Sequence, residues 1–286
     1  MTKIGFIGLG IMGKPMALNL IKEGFDLNIL NSSKGANELL EAGAKAFESI
    51  KSLSENCDVI ITMLPDSPDV EAVVLGENGV LSGLKSGALF IDMSSISPAV
   101  ATNIYAKMKE KGIDALDAPV SGGQVGAEAA TLSIMVGGTE KAFNQAMPIF
   151  SAMGKNIVLI GEAGAGQTTK ICNQMIVGMT IQAVGEAFTL ANKAGVNLEK
   201  MREVLLGGFA QSRILDLHGQ RIIDRNFKPG FKIKLHAKDL KLALEAGKAN
   251  NVQLKGTKQV AKTMDEALEN GDGELDHSGI DLQIEK

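Results

Sequence analysis

The sequence predicts a doubly wound α/β domain over residues 1–162, followed by an all-helical domain over residues 163–286. Three observations lead to this prediction. Short apolar runs alternate with amphipathic stretches through the first 160 residues, as in a sheet covered by helices. Closely spaced glycines follow the first apolar run. After residue 161 no run typical of a strand occurs, and a long uninterrupted helix is predicted to join the two domains.

The strands of the first domain are predicted from apolar runs that are nearly continuous. Such runs are typical of parallel strands buried on both faces of a sheet. Amphipathic stretches at 11–24 and 97–112 predict helices between them, and the second ends on Gly112 after a lysine-rich turn. The predicted strands are 3–7, 26–30, 58–64, 88–93, 113–119, 131–138 and 156–160.

The second domain is predicted to begin with one long helix over residues 166–195. This segment lacks proline, ends on Gly195 and is apolar on several sides, which predicts burial. Gly178 and Gly185 would share one face and allow another helix to approach closely. Further helices are predicted at 198–206, 236–250 and 256–270, whereas the polar segment 273–286 is atypical of a final helix.

Composition narrows the classes of partner. The 29 basic and 33 acidic residues give a net charge of −4, which lacks the basic excess used to bind nucleic acid or anionic membranes. No apolar run reaches the roughly 18 residues of a membrane span. Glycines interrupt the first apolar run, and no A-x-A-like cleavage site follows it. Cys57 and Cys172 match neither a disulfide framework nor a metal-ligand spacing, so we expect buried thiols in a cytoplasmic protein.

The first glycine cluster predicts a dinucleotide site of the Rossmann type. A Gly-x-Gly-x-x-Gly spacing directly follows the strand 3–7 and opens the helix 11–24. The first glycine permits the tight turn, the second lets the backbone approach a pyrophosphate, and the third allows close helix–strand packing. The alternative is a turn that holds no ligand. The predicted phosphate site consists of Gly8, Leu9, Gly10, Ile11, Met12 and Gly13.

The residues after the second strand predict the choice of nucleotide. An acidic residue there would favour NAD(H), because it binds the ribose hydroxyls and repels a 2′-phosphate. This chain has Asn31, Ser32, Ser33 and Lys34 instead. Two hydroxyls could hold a phosphate and Lys34 could neutralise it, so NADP(H) is expected over NAD(H). The alternative role for a serine is to cap the next helix, and the two roles are compatible.

Five segments in order resemble the motifs of the β-hydroxyacid dehydrogenase family. They are "GFIGLGIMGKPMALNLIKEG" (5–24), "DMSSISP" (92–98), "DAPVSGGQVGAEAATLSIMVGG" (117–138), "GAGQTTKICNQ" (164–174) and "KDLKLALEAG" (238–247). The resemblance covers essentially the whole chain. It implies reversible oxidation of a 3-hydroxy acid to its semialdehyde or ketone with a nicotinamide cofactor, and association as a homodimer or homotetramer through the helical domain.

The resemblance also implies roles for single residues. Lys170 matches the catalytic lysine of the family, and Asn173 matches the first of two asparagines that support the substrate and the lysine. Gln174 stands where relatives have the second asparagine. The loop that binds the substrate carboxylate corresponds to Ser121, Gly122 and Gly123. The residues expected to contact the cofactor, beyond the glycine loop and residues 31–34, are Leu64, Pro65, Ser95, Phe231, Lys238 and Asp239.

The chemistry implied needs one proton donor and no metal. Hydride transfer to a carbonyl leaves an alkoxide, which a positioned general acid can protonate. Lys170, Asn173 and Gln174 fall at i, i+3 and i+4, so a helix would present an ammonium beside two amides. A solvent-exposed lysine is the alternative. His218, His236 and His277 show no metal-ligand spacing, and we expect structural or surface roles for them.

The substrate implied is a small anionic semialdehyde. The segments 224–240 and 117–123 most resemble those of family members that act on tartronate semialdehyde, and this resemblance implies its reduction to D-glycerate. Three alternatives stay open. They are a 3-hydroxyisobutyrate or 4-hydroxybutyrate (succinic semialdehyde) dehydrogenase of the same family, an imine reductase on the same scaffold, and a non-catalytic NAD(P)-binding regulator.

Overall fold

The computed structural model describes residues 2–286 and divides into two compact units. The first unit ends at Lys170, and the second covers Ile171–Lys286. The division places residues 163–170 with the first unit, whereas the sequence analysis assigns them to the second domain. Among the described residues, no helix is long and apolar enough to cross a membrane.

The first unit contains a nine-stranded sheet. Its order is β3-β2-β1-β4-β5-β6-β8-β7, with β9 paired to β8. Six of its strands (β1 to β6) carry the order 3-2-1-4-5-6 of a doubly wound dinucleotide-binding sheet. The strands are β1 Lys3–Ile7, β2 Asp26–Leu30, β3 Lys45–Phe47, β4 Val59–Thr62, β5 Leu89–Asp92, β6 Asp114–Asp117, β7 Val120–Ser121, β8 Leu132–Gly137 and β9 Gly154–Gly161.

The expectation of a parallel sheet is correct for β1 to β6 and wrong beyond them. β8 runs antiparallel to β6 and to β7, while β9 is parallel to β8. Because β6 and β7 both run antiparallel to β8, they share one direction, and the chain reverses in the connection between β7 and β8. β3 and β7 were not among the predicted strands, because they are too short to form an apolar run.

Both faces of the sheet are buried at its central strands, as the apolar runs predict, but β9 exposes Val158 and Ile160, so that prediction is wrong for the run 156–160. In β5, Leu89 and Ile91 belong to one core cluster and Phe90 to the other. The same alternation occurs in β4, where Ile60 faces away from Val59 and Ile61. Successive strand residues point to opposite faces, so a strand buried on both sides must be apolar throughout.

Short helices cover the two faces of this sheet. Several begin where a side chain accepts a backbone N–H, such as Ser49 before α3 and Thr139 before α8. No serine caps α2, because its N-cap residue is Gly35; the capping alternative for Ser32 and Ser33 is therefore wrong. The helices are α1 Gly13–Lys22, α2 Ala36–Glu41, α3 Ile50–Glu55, α4 Ser67–Leu75, α5 Val80–Gly83, α6 Pro98–Glu110, α7 Gly123–Glu128 and α8 Glu140–Ser151.

The second unit is helical, and its described residues contain no strand. The long helix α9, Ala165–Lys193, begins in the first unit and continues into the second. The helix α11 was not among the predicted elements, and the segment 273–286 forms short helical turns. The further elements are α10 Leu198–Leu206, α11 Arg213–Ile223, α12 Ile233–Ala249, α13 Lys255–Glu269, the 3₁₀ helices Asp272–Glu274 and His277–Ile280, and α14 Asp281–Ile284.

Two expectations about α9 need correction and one is confirmed. Ile176 and Leu190 are 64% and 72% exposed, so the helix is not buried on all sides of this chain. Cys172 is exposed as well, contrary to the expected buried thiol. The glycine prediction is confirmed: a Cβ on Gly178 would lie 3.3 Å from the His236 ring of α12, and one on Gly185 would lie 2.8 Å from Ile284 of α14.

Candidate active site

The carboxyl ends of four parallel strands bring several predicted site residues to one edge of the sheet. Ile7, Thr62, Asp92 and Asp117 are register partners across β1, β4, β5 and β6. The loops that follow them therefore begin side by side. In an open α/β sheet, ligands bind in the crevice outside these ends.

The glycine loop after β1 shows why each of its glycines is needed. Gly8 has φ +102°, and a Cβ there would lie 2.2 Å from the Met63 carbonyl oxygen. A Cβ on Gly13 would lie 1.9 Å from the Gly8 carbonyl oxygen, whereas one on Gly10 would meet nothing within 4 Å. Gly8 and Gly13 thus serve the turn and the helix packing, and Gly10 leaves the open approach that a pyrophosphate requires.

The surroundings of this loop suit a bound phosphate. No side chain caps α1 and no acidic residue occupies its first turn, so neither a capping group nor a first-turn carboxylate competes for the positive helix end. Leu9 is buried in the core, so its backbone alone is available to a ligand. Ile11 is exposed, and Met12 packs against the core. The residues present fit a dinucleotide.

The loops after β4 and β5 are joined by hydrogen bonds. The backbone N–H of Leu64 donates to Ser94 Oγ at 2.8 Å, and Thr62 Oγ1 donates to Asp92 Oδ1 at 2.8 Å. Pro65 is exposed and Ser95 half-buried beside these bonds. Leu64, Pro65 and Ser95 therefore lie near one another, as a common role in nucleotide binding requires.

The residues after β2 are available to a phosphate. Asn31, Ser32 and Lys34 are exposed and Ser33 is half-buried. The next basic side chain of this surface, Lys14, is 2.6 Å from Glu38 and so already paired. Among residues 31–34, Lys34 is the one charged side chain, and it could neutralise a phosphate.

The loop predicted to bind the substrate carboxylate lies between β7 and α7. Gly122 and Gly123 both have positive φ, at +139° and +62°. A Cβ on Gly123 would meet nothing within 4 Å, whereas one on Gly122 would lie 3.1 Å from Leu132. Helix α7 is held on α1 by the Asn19 side chain, which donates to the Ala127 carbonyl at 2.8 Å. Ser121 is half-buried at the end of β7.

The first turns of α9 are fixed by two buried residues that the sequence analysis did not single out. Asp117 accepts the backbone N–H groups of Gly164 and Gln167 at 2.7 and 2.8 Å. The Gln167 side chain accepts from the N–H of Ile96 and donates to the carbonyl of Ser94. Burial raises the pKa of Asp117 to about 6, although the backbone donors oppose the rise.

Lys170 lies one helical turn after Gln167 and is only 7% exposed. This excludes the alternative of a solvent-exposed lysine. A buried ammonium is costly unless polar groups surround it, so its position indicates a specific environment. Asp117 and Gln167 both lie in the segments quoted above. Their spacing in sequence does not reveal their roles, because their hydrogen-bond partners are 47 to 73 residues away.

In the second unit the structure joins four predicted residues in one network. Asn173 donates to Gln174 Oε1 at 2.8 Å, and Gln174 Nε2 donates to Asp239 Oδ2 at 2.6 Å. Lys238 Nζ is 3.1 Å from Asp239 Oδ1. The Gln174 side chain, which is longer than the asparagine of relatives, therefore bonds to Asp239 of α12. Both polar atoms of its amide form hydrogen bonds.

The three histidines also gather in the second unit, which their spacing did not indicate. His236 Nε2 lies 2.9 Å from the Gln174 carbonyl oxygen, His236 Nδ1 2.9 Å from His277 Nδ1, and His277 Nε2 3.2 Å from His218 Nε2. A carbonyl only accepts, so His236 donates to Gln174. In neutral rings the other hydrogens then run in one direction, from His277 to His236 and from His218 to His277. Burial holds the pKa of His277 well below its ordinary value.

Two of these histidines, with Asp276, form a compact group of possible ligand atoms, which their sequence spacing did not indicate. Ligand atoms of His218, Asp276 and His277 lie within 4.8 Å of one another. Asp276 Oδ2 accepts the N–H groups of Gly230 and Phe231, and its Oδ1 accepts from Ser278. These bonds occupy the carboxylate, and they fix Phe231, whose ring also contacts the rings of His236 and His277.

Comparison with known protein families gives two matches along the chain. Residues 3–161 match the NAD binding domain of 6-phosphogluconate dehydrogenase. Residues 164–281 match the NAD-binding domain of NADP-dependent 3-hydroxyisobutyrate dehydrogenase. The two matches meet at the beginning of α9.

Single proteins match over nearly the full length. The 2-hydroxy-3-oxopropionate reductase of Escherichia coli K12 is 48% identical, over 99% of this chain and 97% of its own. The 2-(hydroxymethyl)glutarate dehydrogenase of Eubacterium barkeri is 40% identical, over 97% and 93%. The structure of Mycobacterium tuberculosis 3-hydroxyisobutyrate dehydrogenase with L-serine has a TM-score of 0.92 at 33% identity and covers 100% of both chains.

Proposed function

Because the chain belongs to the family of NAD-dependent 3-hydroxy acid dehydrogenases, we propose that it reduces tartronate semialdehyde to D-glycerate. The family makes it an NAD(P)-dependent oxidoreductase that acts on CH–OH groups of a small hydroxy acid or on the matching semialdehyde. The choice of tartronate semialdehyde is supported chiefly by the 48% identity to the E. coli 2-hydroxy-3-oxopropionate reductase along the whole chain.

The cofactor is held, in this proposal, by residues at the carboxyl edge of the first unit's sheet. Gly8 to Gly13 bind the pyrophosphate through backbone N–H groups, and Leu64, Pro65 and Ser95 contact the nucleoside parts. When bound, the nicotinamide supplies the hydride. From the second unit we assign Phe231, Lys238 and Asp239 to cofactor binding.

We assign Lys170 as the general acid. The buried Nζ donates a proton to the carbonyl oxygen while the hydride adds to the carbonyl carbon, so the alcohol forms without a free alkoxide. Low exposure strengthens the charge of the ammonium toward the developing negative oxygen, because water screens it little. Asn173 and Gln174 would orient the substrate, with Gln174 itself oriented by Asp239 at 2.6 Å.

The substrate carboxylate is assigned to Ser121, Gly122 and Gly123. The two positive-φ glycines leave backbone N–H groups without side-chain cover, and Ser121 adds a hydroxyl. These donors hold an anion without a full positive charge. A small acid therefore fits, whereas a neutral aldehyde would leave the donors unpaired.

Turnover by the purified protein tests this function. Tartronate, methylmalonate and succinic semialdehydes are each offered with NADPH, and the loss of NADPH absorbance is followed. We expect the highest kcat/KM with tartronate semialdehyde. A higher value with either of the others would move the assignment within the family, and no turnover of any would refute the proposed reduction of these semialdehydes.

We propose NADPH as the preferred nucleotide, supported by the exposed Ser32 and Lys34 and the lack of a carboxylate among residues 31–34. The Lys34→Ala variant should lower kcat/KM for NADPH by on the order of tenfold and leave that for NADH unchanged. Equal losses with both nucleotides, or a wild-type preference for NADH, would contradict it.

We also propose a homodimer or homotetramer that works in the cytoplasm. Ile176, Leu190 and Phe209 expose large apolar side chains in the second unit, and association would remove them from water. Both cysteines are free, as is usual in a reducing compartment. Light scattering gives the mass directly, and a monomer at micromolar concentration would refute the assembly.

A further inference from the structure

The side chain of Gln167 joins the first turn of α9 to the loop that follows β5. Its Oε1 accepts the backbone N–H of Ile96 at 3.1 Å, and its Nε2 donates to the carbonyl of Ser94 at 2.8 Å. One amide thus holds the backbone on either side of Ser95. The side chain is 0% exposed, so water does not compete for either bond.

Asp117 holds the backbone of the same turn against the sheet. Its two oxygens accept the N–H groups of Gly164 and Gln167, which a helix start leaves without acceptors of its own. A Cβ on Gly166 would lie 2.6 Å from the Asp117 carbonyl oxygen, so this approach requires glycine. The beginning of α9 is therefore fixed in two ways. Its backbone is bound by the Asp117 side chain of β6, and its Gln167 side chain is bound to the loop after β5.

We propose that Gln167 is a positioning residue that sets the distance between Ser95 and Lys170. Lys170 follows Gln167 by three residues and so lies on the same side of the helix. The catalytic part of this inference rests on the proposed function, which places Ser95 at the cofactor and Lys170 at the carbonyl oxygen. A general acid works within hydrogen-bond reach, so a small shift of α9 against the loop would slow turnover while the fold persists.

The chain offers a matched control for a merely stabilising amide. Gln182 also lies on α9 and is 9% exposed. Its Nε2 donates to Glu186 at 2.9 Å, and its Oε1 accepts from Thr263 at 3.1 Å. Replacing either glutamine by methionine removes two hydrogen bonds at similar volume. Both variants should lose stability. Only Gln167→Met should alter the position of Lys170 relative to Ser95.

The first experiment needs neither cofactor nor substrate. Hydrogen exchange is measured by mass spectrometry on the free protein for the peptide that contains residues 94–97. In Gln167→Met the amide of Ile96 loses its acceptor, so its exchange should accelerate by about tenfold. In Gln182→Met it should equal wild type. Unchanged exchange in Gln167→Met would overturn the proposal.

The second experiment follows catalysis. With the preferred semialdehyde, Gln167→Met should lower kcat by about 30-fold or more. The deuterium isotope effect with NADPH labelled at the transferred position should rise, because misplacement slows the hydride step itself. Gln182→Met should change neither. In Gln167→Glu an ionised carboxylate would face the Ser94 carbonyl oxygen in a buried site, so its loss should be at least as large. Gln167→Leu, which also removes both hydrogen bonds, serves if the methionine variant fails to fold. If kcat of every folded Gln167 variant lies within threefold of kcat of Gln182→Met, the positioning role is refuted.

The two proposals can fail separately. If wild type reduces none of the semialdehydes, the proposed function fails, but hydrogen exchange and NADPH affinity still report on Gln167. Fluorescence titration with NADPH should show affinity lower by about tenfold in Gln167→Met than in Gln182→Met, because the Ser95 loop has lost its support. Equal affinities would count against the inference whatever the substrate proves to be.

Discussion

Helix α9 is held at two places by opposite kinds of chemistry. At its start, in the first unit, the buried carboxylate of Asp117 accepts two backbone N–H groups. Further along, in the second unit, His236 bonds to the Gln174 carbonyl and is backed by His277. Both places adjoin a predicted site residue, Lys170 in the first case and Gln174 in the second. The first is an anion that burial makes costly, and the second is a run of rings in which burial lowers the pKa of His277.

The comparison teaches that one helix can carry opposite responses to pH. Protonation relieves the cost of the buried Asp117 carboxylate, so acid favours the start of α9. Protonation of His277 would turn an acceptor nitrogen into a second donor facing His218, so acid disfavours the other place.

The largest effect is expected from Lys170→Ala. Loss of the general acid should lower kcat by about 10² to 10⁴-fold, while the NADPH dissociation constant, measured by fluorescence, stays within about threefold of wild type. Gln174→Ala, in the other region, should cost only about tenfold, because it loses orientation and not the proton. A Lys170→Ala enzyme within tenfold of wild type would remove the chemical distinction between the regions.

Asp117→Asn should change the dependence of stability on pH. The folded pKa of about 6 lies above the ordinary 3.8, so the folded state binds the proton more tightly than the unfolded chain. This contribution to stability is present below pH 4 and is lost as the pH rises through 6. The unfolding free energy of wild type relative to Asp117→Asn should therefore fall by about 2 kcal/mol between pH 4 and 7.

Urea unfolding at intervals of half a pH unit measures this difference. Asparagine keeps one acceptor for the two N–H groups, so a constant offset is expected as well. A relative free energy that rises with pH would mean that the backbone donors outweigh burial at Asp117. In that case both places on α9 would lose stability in acid.

His277→Phe tests the other region and is expected to have a smaller effect. At pH 7.5 the variant should lose about 1 to 2 kcal/mol of unfolding free energy, since the hydrogen bonds of a buried ring disappear. The depressed pKa of His277 means that wild-type stability is lost as the pH falls below 6.5, where the unfolded chain takes up the proton. The deficit of the variant should therefore shrink at pH 5.5, and a deficit that grows would refute a neutral His277.

Much of the first unit could be predicted from sequence because local patterns state local geometry. Gly8, Gly10 and Gly13 specify a turn by their spacing, and the continuous apolar run of β5 specifies burial on both faces. The roles of Asp117 and Gln167 could not be predicted in this way, because their partners lie 47 to 73 residues away and are mostly backbone groups, which any sequence supplies.

The second unit was less predictable for a related reason. The segment 273–286 looked too polar for a helix, yet Asp276 and His277 are buried, since backbone and ring partners satisfy them. A polar residue with all its partners folded around it carries no apolar signal in the sequence. Gly178 was the exception, because a glycine inside a long helix directly indicates close approach.

That approach gives the smallest predicted effect. Alanine at position 178 should stabilise α9 by about 1 kcal/mol through helix propensity, but its Cβ would press on His236 Nε2 at 3.3 Å and on Val260 at 3.4 Å. The two effects nearly cancel, so Gly178→Ala should change the unfolding free energy by less than about 1 kcal/mol. In a His236→Ala background the clash with the ring is absent, and the same substitution should stabilise by about 1 kcal/mol. Equal changes in unfolding free energy in both backgrounds would show that the His236 ring does not restrict α9 at position 178. The proposed support of α9 by the histidines would then be weakened.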